Sequence, residues 1–309
     1  MSLDIVSIGE PMVEFNQTGA DGGRTYLQGF GGDSSNFAIA AARQGAKVGY
    51  VTSLGADIYG HMFRELWRAE GVDASHVRED ADAFTAVYFV THDAAGHHFS
   101  FFRQGSAASR FAPSHVPETY LATARYVHLS GISLAISQTA CDACFAAIAA
   151  ARKGGARITF DTNLRLKLWP KDRARAVTSE AIAQCDVCLP SHDDVAALYD
   201  IAEPDALVDR ILAMGPKIVV LKMGGKGCIV ADRTARTHVP PHPCSPVDAT
   251  GAGDTFGGAF VARLAAGDAP VAAARYANAA AALSTQGYGA VAPIPRAADV
   301  RAALAAIPA

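Results

Sequence analysis

The stretch Pro246-Val247-Asp248-Ala249-Thr250-Gly251-Ala252-Gly253-Asp254-Thr255-Phe256-Gly257-Gly258 decides the reading of this chain. Glycines at 251 and 253 let backbone pass close to a ligand, since no side chain intervenes. Thr255 to Leu264 then carries Phe256, Phe260, Val261 and Leu264 near helical spacing, which predicts a helix. The first N–H groups of a helix have no partner inside it, and the helix dipole adds partial positive charge there. A small-residue turn opening a helix is therefore an anion site. Asp254 stands out in that setting, because a carboxylate beside bound phosphate costs Coulomb energy. A carboxylate that takes the proton from an incoming hydroxyl has a reason to stand there. The combination points to phosphoryl transfer. The plainer alternative is a tight turn followed by an acid that favours a helix N-terminus. A dinucleotide fingerprint fits less well. The glycines at 251, 253 and 257 make GxGxxxG rather than GxGxxG, and His238 to Pro246 is too proline-rich for the buried strand that fingerprint needs.

The chain has 309 residues, 50% hydrophobic and 18% charged, enough for one large α/β domain with an appendage or for two domains. Its net charge is −3 with no basic cluster, which argues against a nucleic-acid partner. No apolar run is long enough to span a bilayer, and Met1-Ser2-Leu3-Asp4 lacks the charged and apolar regions of a signal peptide. A soluble cytoplasmic protein is expected. Six cysteines do not suggest a disulfide framework in a chain of this size. Cys141-Asp142-Ala143-Cys144 and Cys185-Asp186-Val187-Cys188 have CxxC spacing, but the gap between them exceeds that of a zinc ribbon and no glycine-rich knuckle surrounds either. Cysteine also packs as a small apolar residue.

Ile5 to Ile8 reads as a buried first strand, and Glu10 follows at its C-terminal end, where open α/β sheets bind ligands. Gly31-Gly32-Asp33-Ser34-Ser35-Asn36 leads into a helix running through Ala38 to Arg43, with Asp33 or Ser34 as N-cap. Its glycines allow close backbone approach, and Asn36 can donate and accept hydrogen bonds to a polyol; a simply capped helix is the alternative. Val48 to Leu54 reads as one strand. Ala83–Thr91 and Phe99–Arg103 are β-like runs joined by a polar turn at 93–97. Elsewhere strands alternate with helices up to the last helix near 297–306, which implies parallel βαβ units. The expected fold is α/β, a doubly wound mainly parallel sheet with helices on both faces and a small β-sheet lid. The main domain would comprise residues 1–11, 31–83 and 105–309, and the lid 12–30 and 84–104.

Asp248-Ala249-Thr250-Gly251-Ala252-Gly253-Asp254-Thr255-Phe256 resembles the C-terminal signature of the ribokinase-like (PfkB-type) carbohydrate kinases. The resemblance covers nearly the full length. Gly31-Gly32-xxx-Asn36 matches the family's sugar-contacting motif, and Val220-Leu221-Lys222-Met223-Gly224-Gly225-Lys226-Gly227 its nucleotide-binding strand and turn. Neither a Walker A loop nor protein-kinase signatures occur. Three stretches are similar to the 2-keto-3-deoxygluconate kinase branch: Phe101 to Ser109, His128 to Ala135, and Phe160 to Trp169 with its D-x-N-x-R…W pattern.

The resemblance implies that Gly251, Ala252 and Gly253 form an anion hole and that Asp254 is the catalytic base. It implies substrate contacts at Gly32, Asn36, Tyr88, Phe101, Arg103, Arg165 and Asp254. ATP contacts would fall to Asn163, Arg165, Ser191, Lys222, Gly224, Gly227, Gly251, Gly253 and Asn278. Mg2+ would accompany ATP, with Asp194 acting on it indirectly, and a monovalent cation is left open. Chemistry supports an acid substrate, since guanidinium binds carboxylate in a bidentate fork and Arg103 and Arg165 each follow a β-like run. The structural alternative is that either arginine pairs with Asp161 or another carboxylate. Three departures stand out: Phe101 and Leu164 replace commoner tyrosines, and Ser191-His192-Asp193-Asp194 replaces N-x-x-E. Exposed lid edges suggest a homo-oligomer.

Overall fold

The computed structural model describes residues 2–19, 23–93 and 96–306, with the side chains at 96–97 also outside the description. The middle of the expected 93–97 turn and part of the glycine-rich stretch after Gly19 therefore lie outside the described residues.

Short runs of Val, Ile and Leu build the main sheet because each side chain points opposite to the next. The strands in chain order are β1 (Leu3–Ile8), β2 (Met12–Gln17), β3 (Tyr26–Gly31), β4 (Val48–Val51), β5 (Ser53–Gly55), β6 (Arg78–Asp80) and β7 (Val87–Asp93). They continue with β8 (Gly96–Phe102), β9 (Ala124–Ser130), β10 (Arg157–Asp161), β11 (Val187–Cys188), β12 (Ile218–Lys222), β13 (Cys228–Ala231) and β14 (Arg236–Val239). The main sheet has the order β14-β13-β12-β11-β10-β9-β1-β4, parallel except at its last two pairings, β12 with β13 and β13 with β14. Both faces are covered. Ile5, Tyr126 and Val220 enter a core shared with helices Asp33–Arg43, Ala252–Ala266 and Pro270–Ser284. Val6, Val127 and Leu221 enter the other, shared with helices Gln138–Lys153, Lys171–Gln184 and Pro204–Leu212. Cys141, Cys144, Cys185, Cys188 and Cys228 are free and buried, and burial pushes the Cys144 thiol well up.

β1 pairs with β4 on one side and β9 on the other, so the order of the sheet reverses there. Such a switch point opens a crevice at the C-terminal strand ends. A separate four-stranded sheet, β3-β2-β7-β8, leaves the chain on either side of β4 to β6. Glu14, Tyr88 and Phe101 lie in one row across it, and Asn16, Val90 and Phe99 in the next. Phe15 and Phe30 on its opposite face pack on Tyr59 and Phe63 of the helix Ile58–Glu70.

Two local expectations are corrected. The first helix is capped by the backbone of Gly32 at φ 96°, not by Asp33 or Ser34; Asp33 lies inside the helix, buried, and accepts the Ser34 N–H at 2.8 Å. The expected strand Val48–Leu54 breaks at Thr52, where the chain leaves β1 to pair with β6. β14 precedes the proline-rich stretch as an antiparallel edge strand, a place that tolerates the prolines that follow.

Small residues let two helices meet closely below the crevice. A Cβ on Gly258 would collide with the Phe37 carbonyl and lie 2.7 Å from Ala40 Cβ, and one on Gly257 would lie 3.1 Å from the Phe37 ring. Phe37 is itself fixed by stacking at 3.5 Å on the buried His128 imidazole. Gly258→Val should cost about 1–3 kcal/mol through overpacking, read as a lowered Tm in thermal unfolding. It should also lower turnover, because the two helices it separates carry Asn36 and Asp254.

Candidate active site

The strand ends supply the first set of polar groups. Glu10 lies just past β1, Ser130 ends β9, Asp161 ends β10, and Lys222 ends β12. Their convergence follows from parallel pairing, since parallel strands end on one side of the sheet.

Above them stands the N-terminus of the helix Ala252–Ala266. Gly251 caps it in the left-handed region at φ 74°, and a Cβ there would also lie 2.9 Å from the Ala290 carbonyl. Asp248 braces the turn by accepting from Thr250 N–H at 2.9 Å, Thr250 Oγ1 at 2.6 Å and Gly289 N–H at 2.9 Å. Ala252 N–H turns back to Ala249, and Thr255 N–H starts the helical ladder on Gly251 at 2.8 Å. The N–H groups of Gly253 and Asp254 therefore face out of the helix end, as an anion cradle requires.

Asp254 Oδ2 accepts a 2.8 Å hydrogen bond from Asn36 Nδ2, while Asn36 Oδ1 is buried with no hydrogen-bond partner among the described residues. Lys222 Nζ lies 3.5 Å from where a Gly253 Cβ would stand. Enclosure pushes the Asp254 carboxyl up to about 8, the Asp33 and Asp161 charges push the same way, and Asn36 and Lys222 oppose them. Such a carboxyl is a stronger base than an ordinary aspartate.

The next groups include those expected to meet ATP. Lys222 is ion-paired to Asp161, so Asp161 is the partner of the lysine and not of Arg165. Asn163 holds a left-handed backbone at φ 30° and donates from Nδ2 to Asp33 Oδ2 at 2.8 Å. Asp194 accepts the Leu164 N–H at 3.0 Å, and burial raises its carboxyl. The Arg165 guanidinium donates to the Leu164 carbonyl at 2.8 Å, and the residue is otherwise exposed toward the crevice carboxylates. Ser191 caps the helix His192–Tyr199 by its backbone and bridges to Lys222. Asp33, Asp161, Asp194 and Asp254 thus face Lys222 and Arg165, leaving an excess of negative charge.

Among the residues expected to meet the substrate, Gly32 is pressed against Glu10 and Pro11 so closely that any Cβ would collide. Tyr88 donates to Glu14, and burial with the Glu14 and Asp254 charges pushes its phenol well up, keeping it a donor. Burial likewise raises Glu14. Phe101 is 46% exposed and packs on Tyr88 at 5.6 Å. Arg103 is bound on two sides: its guanidinium lies 2.7 Å from Glu10 Oε2 and its Cζ sits 5.1 Å over the Phe101 ring. A carboxylate partner for Arg103 was the alternative reading, and it is Glu10.

Gly224, Gly227 and Asn278 stand apart from this cluster. Gly224 adopts φ 54° in open space, and Gly227 at φ 84° abuts Val239 and Pro240. Asn278 Nδ2 donates to the carbonyls of those same residues, at 3.3 and 2.8 Å, so its amide fixes the segment after β14. The concavity between Asp209 and Arg236 lies at the far sheet edge and contains none of the candidates. The polar groups of this cluster to which the sequence reading gave no place in the site are Glu14, Asp33, Asp161 as lysine partner, and Asp248. Asp33, Asp161 and Asp248 had a signal, their place inside the quoted motifs; Glu14 had none.

Residues 2–297 match the pfkB family of carbohydrate kinases. The chain belongs to that family. It is a phosphotransferase with an alcohol acceptor, on a ribokinase-like fold. It is 33% identical to a 2-dehydro-3-deoxygluconokinase of Thermoproteus tenax over 96% of this chain and 93% of that one. It is 32% identical to fructokinase-1 of Oryza sativa subsp. japonica over 96% of each. A crystal structure of a Vibrio cholerae fructokinase with fructose, ADP and calcium ion superposes with a TM-score of 0.89, at 27% identity, over 98% of this chain and 99% of that one.

For this kinase, Asp254→Asn should fold and lose at least ~10²-fold in turnover, the scale of a positioned general base. In the unsubstituted enzyme kcat/KM should fall as pH drops below about 8, where Asp254 gains its proton. The folded state binds that proton more tightly than the unfolded chain, whose value is 3.8, so stability declines as pH rises between the two values. Asp254→Asn should accordingly raise Tm at neutral pH. Turnover near that of the unsubstituted enzyme would remove Asp254 from the chemistry.

Proposed function

We propose that this kinase transfers the terminal phosphoryl group of ATP to the primary hydroxyl of 2-keto-3-deoxygluconate, giving the 6-phosphate. The observation that carries the sugar-acid part is Arg103. Its guanidinium is nearly enclosed beside the sugar motif, and its Nε is buried with no hydrogen-bond partner among the described residues. A buried unpaired donor on a cation favours an anionic acceptor over a neutral hydroxyl. The name of the Thermoproteus tenax relative supports the same substrate, while the rice fructokinase supports fructose as the second reading.

Asp254 takes the proton of the attacking hydroxyl, and Asn36 holds the carboxylate toward it. The amides of Gly253 and Asp254 stabilise charge on the moving phosphoryl oxygens, which in a loose transition state is the larger part of catalysis. Lys222, Asn163 and Arg165 line the phosphate path, with Ser191 and Gly224 to Gly227 toward the nucleotide. Asn278 acts on the nucleotide side through the 239–240 segment. Phe101, Tyr88 and the rest of the small sheet act as a lid that excludes water.

The excess of carboxylates fits a divalent cation arriving with ATP, and Mg2+ is the proposed ion. No group of three His, Cys, Asp or Glu side chains converges on a cation position among the described residues. That suits an ion held mainly by phosphate and water, with Asp194 acting through its surroundings. When bound, it neutralises charge on the phosphates.

Exposed Leu27, Phe99 and Phe101 share one face of the small sheet, which supports a homo-oligomer formed through it. The free thiols suit a reducing cytoplasm. Sedimentation should give a species larger than a monomer, and Phe99→Lys should shift it toward monomer.

A coupled ADP-release assay should show 2-keto-3-deoxygluconate preferred over fructose, ribose and adenosine; equal or better use of fructose would overturn the acid reading. Arg103→Ala should raise KM for the acid far more than for fructose.

A further inference from the structure

We propose that Glu10 is the resident counter-ion of Arg103, and that a sugar acid enters the site together with one proton that comes to rest on the Glu10 carboxyl. This rests on Arg103 as the partner of the substrate carboxylate.

The Glu10 side chain has no exposed surface, and that of Arg103 is 13% exposed. Glu10 Oε2 lies 2.7 Å from the guanidinium, and Oε1 accepts from Ser106 Oγ at 3.3 Å. The Glu10 backbone carbonyl lies against Gly32, and burial of the whole side chain leaves it no exposed surface to move into. Arg103 is equally confined, between Met12 Sδ at 3.0 Å and the Phe101 ring. From the segment after β8, Arg103 and Ser106 face Glu10. From the first helix Asp33 faces it, and the Tyr50 phenol, hydrogen-bonded to Ser34 at 2.8 Å, stands in its field.

The pair alone is neutral. A substrate carboxylate added to it would leave a net negative charge in an enclosed place, with Asp33 nearby, and that is costly. A proton from the buffer, taken up on Glu10, restores neutrality and frees the guanidinium for the substrate. Burial already pushes the Glu10 carboxyl up to about 7, although Arg103 pulls it down. Sharing Arg103 with a second carboxylate weakens that pull. The protonated acid keeps a partner, since the Ser106 hydroxyl can accept as well as donate.

Glu10 therefore sets specificity. Only an anionic substrate requires its protonation, and the affinity for acids should fall as pH rises above its titration, ~10-fold per unit. The test is calorimetric titration of the full chain, without ATP, with 2-keto-3-deoxygluconate and with fructose, in buffers of different ionisation enthalpy. At a pH about two units above the Glu10 titration the acid should take up about one proton more than fructose does, since any uptake at Asp254 is common to both sugars. Glu10→Gln should lose that difference, bind the acid more tightly and flatten the pH dependence of its KM. Acid binding without the extra proton, or extra uptake persisting in Glu10→Gln, overturns the proposal and leaves the acid substrate standing. Binding of fructose but of no sugar acid overturns both. Should Glu10→Gln fail to fold, proton uptake by the unsubstituted enzyme decides alone.

Discussion

A single hydrogen bond, from the Asn36 amide to the Asp254 carboxylate, joins the two halves of the catalytic centre. It exists because the helices carrying the two residues approach over Gly257 and Gly258, where side chains would hold them apart. Those helices in turn rest on one face of the sheet at its switch point, beside β1. The amide holds Oδ2 of Asp254, and its own oxygen is buried with no hydrogen-bond partner among the described residues. Sheet order, helix packing and base orientation are thus one chain of causes.

Electrostatics gives the site its character. Lys222 is paired to Asp161, and Arg103 to Glu10. Two of its cations are therefore already neutralised by carboxylates of the protein. What remains to meet a phosphate tail is Arg165 and the helix N-terminus, whose partial charge needs no counter-ion and does not move. The same enclosure that raises Asp254 makes it a better base and a burden on stability. A strained or destabilised group at a functional centre is the usual exchange of stability for activity.

The small sheet bears on selectivity. Relatives named for a sugar acid and for fructose match this chain at nearly equal identity. Overall likeness therefore does not separate the substrates, and the phosphoryl machinery is indifferent to what carries the hydroxyl. Charge would separate them, and the charge proposed to do so is Arg103, at the end of β8 with Phe101 beneath it. Glu14 and Tyr88, in the same row as Phe101, are joined by a buried hydrogen bond on that face of the sheet.

The elements and the glycine turn before Asp254 were legible in the residues alone. Alternating apolar runs set the strands, and glycines before an amphipathic run set the anion cradle with Asp254 beside it. These are local properties, written in neighbouring residues and the period of the backbone. Partners were another matter. Asn36 and Asp254 are 218 positions apart, and Asn163 and Asp33 are 130 apart. Even Asp33, read as a cap, proved to be buried inside its helix because Gly32 bends the chain one residue earlier. Whether Arg103 was a free clamp or half of an ion pair depended on where β1 ended relative to the small sheet. Such pairings came from the folded chain, because side-chain contacts between distant segments follow from packing geometry and no local pattern records it.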